Sequence, residues 1–156
     1  MRERRLRSSA PICCGIDITA RRAIFVFLTL AEGQVVDITV PHTHLKVDHP
    51  DHPEALRRFH REAQALFDAR QPDRIAIVER RKSGRFAAGG TTFKLESLLQ
   101  LYEPIAVTLV APALLRQFVK ERQPALTPRF SYQKNAYLLA RYLLVASDGI
   151  LSAVVD

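Results

Sequence analysis

Two carboxylates, Asp17 and Glu79, each close a short apolar run. Asp17 is next to last in the run Ile-Cys-Cys-Gly-Ile-Asp-Ile at residues 12–18, and Glu79 is the last residue of Arg-Ile-Ala-Ile-Val-Glu at residues 74–79. Apolar runs of this length, bounded by turn signals, read as buried strands. Two acids at the ends of neighbouring buried strands repel, and they need a cation, a shared proton or a basic partner. A divalent metal is the usual solution where hard oxygen ligands converge. Magnesium on such a pair, completed by waters and phosphate oxygens, activates a water and stabilises a leaving oxygen. The chemistry open to these residues is therefore phosphodiester hydrolysis. The plain alternative gives them none: Asp17 caps the turn after its strand, and Glu79 pairs with Arg80, Arg81 or Arg85.

A basic segment follows Glu79 directly. Arg80, Arg81, Lys82 and Arg85 are interleaved with Gly84, Gly89 and Gly90. Glycines permit close backbone approach, and the helix after them offers its N-terminus to an anion. Lys94 extends this cationic set, which reads as a phosphate grip or as a solvated loop. It lacks the Gly-Lys-Ser/Thr ending of a nucleotide-binding P-loop. Phe86 either stacks on a base or packs on its own domain. His42, His44, His49 and His52 share a segment with Asp48 and Asp51, a set that a zinc or nickel ion accepts but that matches no established ligand spacing. The plainer reading is a solvated loop. His60 falls among Arg57, Arg58 and Arg61 on the polar side of a helix. Adjacent Cys13 and Cys14 point to opposite faces of a strand and read as two small buried residues. No Gly-x-Ser-x-Gly elbow is present, and covalent catalysis finds no support.

The elements that must position these groups follow from periodicity. Strands are expected over residues 12–18, 23–30 and 34–40, joined by tight turns at 19–22 and at Glu32-Gly33, as an antiparallel meander. Residues 41–52 read as a polar loop. A helix over 53–70 carries Leu56, Phe59, Ala63, Leu66 and Phe67 on one face, with Asp51 and Glu54 at capping-box spacing and Pro53 in its first turn. A fourth strand, 74–79, and a fifth, 105–110, alternate with helices over 91–102 and 112–121. Ser131 is expected to cap a last helix running to about residue 147, with Gly149 ending it. This order predicts an α/β fold, a mixed five-stranded sheet flanked by helices. Strands 1-2-3 are antiparallel in it, and strands 4 and 5 run parallel to strand 1. That is the element order of ribonuclease-H-like domains, which brings Asp17 and Glu79 to one rim.

Composition sets the frame. The chain has 156 residues, 47% hydrophobic and 25% charged, which is globular and one domain in size. Its net charge is +7, and four arginines and one glutamate in residues 2–7 account for three of those charges. Residues 1–10 are expected to be a disordered basic tail and residues 11–156 a single domain. The excess of positive charge favours anionic partners, DNA or RNA among them. The longest apolar run, residues 23–30, falls well short of the roughly 20 residues that cross a bilayer. No secretory signal is read, so the expectation is a cytoplasmic protein with no membrane association.

Residues 79–101 carry a resemblance. Glu79-Arg80, the Arg85-Phe86-Ala87-Ala88-Gly89-Gly90 stretch, Phe93-Lys94-Leu95-Glu96 and Gln100-Leu101 resemble the pattern of an uncharacterised bacterial protein family. Cys14-Gly15-Ile16-Asp17 is similar to that family's opening strand, and Gln133, Ala136, Tyr137 and Ala140 to its last helix. The resemblance spans about residues 12–145. It implies a ribonuclease-H-like fold, distantly similar to Holliday-junction resolvases of the RuvC type, with Asp17 and Glu79 at the first two metal-ligand positions. It also implies a magnesium- or manganese-dependent nuclease, with Glu96 as a conceivable third ligand. Arg80, Arg81, Lys82, Arg85 and Lys94 would then hold nucleic acid. The chain departs from RuvC-like nucleases at the start of the last helix. Residues 131–135 there read Ser-Tyr-Gln-Lys-Asn and hold no acid. The alternative is a catalytically inactive nucleic-acid-binding or homodimeric interaction protein of the same fold. An actin-like ATPase is disfavoured because Thr19-Ala20-Arg21-Arg22 contains no glycine.

Overall fold

The structure, a computed structural model, describes residues 10–39, 44–80 and 89–147. Most of the expected basic tail, His42, Arg81, Lys82, Arg85, Phe86 and Gly149 lie outside them.

Strand β1 (Cys13–Thr19) turns through Ala20 and Arg21 into the long β2 (Arg22–Ala31), with Thr19 opposite Arg22. β2 turns into β3 (Gln34–Asp37) through Glu32 and Gly33, both at positive φ (52° and 76°). Two successive left-handed residues give a turn whose twist suits a hairpin. The next strand departs from expectation. Residues 41–52 are not all loop: His44–Lys46 forms β4, which pairs with the first residues of β2 while β3 pairs with the last. β2 has ten residues, so one edge takes two short strands. Leu45 supplies the half-buried apolar side chain that anchors β4.

Helix α1 (Pro53–Arg70) has Phe59, Ala63 and Phe67 buried, the stripe expected from their spacing. The expected capping box does not form. His52 is the N-cap and makes no side-chain cap, and Asp51 accepts from Lys94 Nζ at 3.2 Å instead. β5 (Arg74–Val78), α2 (Gly90–Gln100), β6 (Val107–Val110) and α3 (Pro112–Arg122) follow as β-α units. Ser131 does not cap the last helix. Ser131–Gln133 is a 3₁₀ turn, closed by the Phe130 N–H donating to Gln133 Oε1 at 3.0 Å, and α4 (Lys134–Ser147) continues from it.

The sheet order is β3-β2-β1-β5-β6 with β4 beside β2, six strands where five were expected. β5 is parallel to β1, and β6 to β5. Alternation splits the core into two layers. Cys14, Ile16 and Ile18 pack under α1 and α2 against Phe59, Phe67 and Leu95. Cys13 packs on the other face with Ala76, Val78 and the α4 residues Ala136, Leu139 and Ala140. The two cysteines are buried on opposite faces and are not bridged. Gly15 is required where α4 crosses β1. A Cβ there would lie 2.1 Å from the Ala136 carbonyl oxygen and 2.7 Å from the Ala140 nitrogen. This close crossing lays the first turn of α4 over the C-terminal end of β1.

Candidate nucleic-acid interface

Asp17 follows Gly15 by two residues and so shares the α4 face of the sheet. It is 2% exposed. One carboxylate oxygen, Oδ1, faces Arg80 Nη1 at 3.5 Å, and the other, Oδ2, faces Asn135 Nδ2 at 3.4 Å. Both contacts are long, so neither neighbour fully replaces the water lost on burial. Burial pushes the Asp17 carboxyl above its ordinary range. The Arg80 guanidinium and the Asn135 amide pull the other way without cancelling the effect.

Glu79 stands one residue beyond β5. Its N–H donates to the Val110 carbonyl at 2.9 Å, which carries the ladder with β6 past Val78. The β1–β5 register aligns Ile16 with Ile77, so Asp17 falls level with Val78 and one residue short of Glu79. Both acids therefore lie at the C-terminal edge of adjacent parallel strands, where α/β sheets bind ligands. Arg80 turns back from this edge onto Asp17. The positive charge after Glu79 was legible in the sequence, but its use against the buried acid was not.

A groove of about 600 Å³ opens beside these groups, between α3 and α4. Val78, Leu115, Val119, Leu126 and Leu138 form its apolar walls, and Glu79, Arg80, Arg116, Lys134 and Asn135 its polar lining. Arg116 and Lys134 make no ion pair with any described residue, whereas Lys46, Arg57, Arg58, Arg80 and Lys94 do. Arg116 was not singled out from the sequence. Its only signal was a cation on the helix after β6, and the groove appears only once α3 and α4 are placed.

Other expected site residues separate. Lys94 donates to the Pro50 carbonyl and to Asp51 Oδ1, both at 3.2 Å, and so ties α2 to the segment before α1. Glu96 is 6% exposed and is not a surface partner of Lys94. It lies on the buried stripe Thr92-Leu95-Glu96-Leu99 of a helix packed on the sheet face opposite Asp17. Among the described residues no three of His, Cys, Asp and Glu converge as metal ligands, so Asp17, Glu79 and Glu96 do not form one cluster. The His44–His52 segment forms none either. His49 and His52 stack at 5.2 Å, and Asp48 pairs with Lys46. The fit to magnesium is poor: two carboxylates share the edge, and Arg80 holds the place beside Asp17 that a cation would take.

Residues 12–143 match the family described as "Protein of unknown function (DUF3010)". The chain belongs to the DUF3010 family. No curated protein matches it. Among solved structures, the DUF3010 chain is similar to Thermus thermophilus RuvC, with a TM-score of 0.67 and 16% identity over 88% of this chain and 96% of that one. It is also similar to T. thermophilus RuvC in complex with Holliday junction substrate, with a TM-score of 0.66 and 14% identity over 89% and 96%. At these identities the likeness establishes the fold: the DUF3010 domain is a ribonuclease-H-like α/β domain. Among the described residues no helix is long and apolar enough to cross a membrane.

Proposed function

We propose that this domain binds the phosphodiester backbone of nucleic acid in the groove between α3 and α4, next to the Asp17–Arg80 pair. The observation that carries this reading is a groove at the carboxylate edge whose rim holds Arg116 and Lys134 without ion-pair partners among the described residues. Unpaired cations at the mouth of a concave site raise the local concentration of anions and take phosphates readily. Arg80 adds a third cation, already fixed in direction by Asp17. The solved structure of a RuvC with a Holliday junction supports the reading by analogy of fold. Branched DNA belongs for that reason among the first probes.

A second reading is hydrolysis of the bound phosphodiester with magnesium or manganese at Asp17 and Glu79. It is favoured by the placement of both acids on adjacent strand ends. It requires Arg80 to leave Asp17, and Glu96 does not contribute. Fluorescence anisotropy with branched and single-stranded DNA, run with chelator and then with each metal, separates the two readings. Binding that survives chelator, with every substrate left intact, is the expected result. Metal-dependent cleavage lost in Asp17→Asn would establish the second reading. Absence of binding at low salt would defeat the first.

A further inference from the structure

Beside Asp17, on the side away from the groove, side chains from two distant segments form a layered stack. Arg129 lies over the Phe130 ring, its guanidinium carbon 5.4 Å from the centroid. Phe130 and Tyr132 are parallel to within 6°, with centroids 5.6 Å apart. Arg22, from the start of β2, lies over Tyr132 at 5.2 Å. The stack's position follows from topology. Arg22 pairs with Thr19, two residues beyond Asp17, and Tyr132 precedes Asn135 by three. β2 and β5 flank β1 on opposite sides, so Asp17 lies between the stack and the groove.

Core packing does not account for Phe130. It is 43% exposed and belongs to neither core cluster. The Phe130 N–H bond to Gln133 fixes its backbone, and the half-buried Tyr132 backs its ring. An exposed ring backed by a half-buried one, with arginines on both, matches the chemistry of an unpaired nucleotide: the rings and guanidinium planes stack on bases, and the charges attract phosphate.

We propose that the Arg129-Phe130-Tyr132-Arg22 stack is a platform for unpaired bases, and that the domain therefore prefers single-stranded or splayed nucleic acid to intact duplex. This rests on the phosphate-binding reading of the groove, because one strand would run from groove to stack past Asp17. A base lands on Phe130 as the exposed Arg129 swings aside to a phosphate.

The test uses the full chain and three fluorescent probes: an oligothymidine strand, the same backbone with abasic sites throughout, and the strand annealed to its complement. The oligothymidine strand is expected to bind about tenfold more tightly than the abasic one. Phe130→Ala should erase that difference and leave abasic binding unchanged, and Phe130→Tyr should retain it. Phe130 is exposed, so both variants should fold, which circular dichroism checks. Equal affinity for thymidine and abasic strands, or wild-type affinity in Phe130→Ala, overturns the platform while phosphate binding stands. If none of the probes binds, both proposals fail.

Discussion

Gly15→Ala is the substitution whose consequence the structure fixes most tightly. The added Cβ would meet the Ala136 carbonyl oxygen at 2.1 Å and the Ala140 nitrogen at 2.7 Å, and both are backbone atoms of a helix. Contacts to Cβ below 3.0 Å are essentially unknown, so neither atom can be accommodated by rotating a side chain. To restore ordinary contact, α4 must lift from β1 by about 1.3 Å, well beyond the close fit of a protein interior. That movement loosens the layer of Cys13, Ala76, Ala136 and Ala140 and draws Asn135 off Asp17. Overpacking costs about 1–3 kcal/mol, and rigid backbone on both sides of the clash puts this case near 3 kcal/mol. Such a loss is large against a total stability of about 5–15 kcal/mol. Urea unfolding followed by circular dichroism measures it. Gly90→Ala is the control: it opens α2, its new Cβ meets nothing within 4 Å beyond its chain neighbours and its own helix backbone, and it should be neutral or slightly stabilising. A Gly15→Ala loss below about 1 kcal/mol would refute the close crossing of α4 over β1.

The remaining predictions concern the Asp17–Arg80 pair at the C-terminal edge of β1 and β5, and one backbone position, Gln71, at the opposite edge. Because burial raises the Asp17 carboxyl above its unfolded value, the folded state holds the proton more tightly. The associated stability is present below the unfolded pKa and is lost as pH rises through the folded one. Asp17→Asn should therefore flatten that decline and raise stability at pH 7 by about 1 kcal/mol, since a buried charge is removed and Arg80 can turn to solvent. Denaturation midpoints at acidic and neutral pH report this, and a less stable variant at pH 7 would count against it. Arg80→Ala should lower stability at pH 7 by about 1 kcal/mol in wild type and hardly at all in an Asp17→Asn background. A double-mutant cycle without coupling would contradict the pairing. Gln71 closes α1 in a left-handed conformation, with φ of 50° and its N–H on the Phe67 carbonyl at 2.8 Å. Gln71→Gly should stabilise by about 1 kcal/mol, read from thermal unfolding, and an unchanged midpoint would argue against strain at that residue.

Periodicity made part of this architecture readable in advance. Cys13 and Cys14 face opposite ways because strand side chains alternate, and Phe59, Ala63 and Phe67 define α1 because they recur at helical spacing. Asp17 and Glu79 lie at one sheet edge because Asp17 is near the end of β1 and Glu79 just past β5, and the two strands are a parallel pair. What escaped depends on contacts between distant segments. β4 has one half-buried side chain in three residues, and it exists because β2 is long enough to pair twice. Asp51 has the right spacing to cap α1, yet Lys94, 43 residues later, takes it. The need for glycine at position 15 arises only when α4 crosses it. The burial of Glu96 did have a signal, since positions 92, 95, 96 and 99 share one helical stripe. The stack is half visible as Arg-Phe-Ser-Tyr at 129–132, but Arg22 joins it only through the fold.

The salt dependence of single-strand binding addresses the groove itself. Each phosphate contact on a single strand contributes about 0.7 to the slope of log affinity against log salt. Replacing both Arg116 and Lys134 by glutamine should make that slope shallower by about 1.4 and weaken binding uniformly across sequences. A double variant with the wild-type slope and affinity would show that the cations between α3 and α4 do not hold a nucleic-acid backbone.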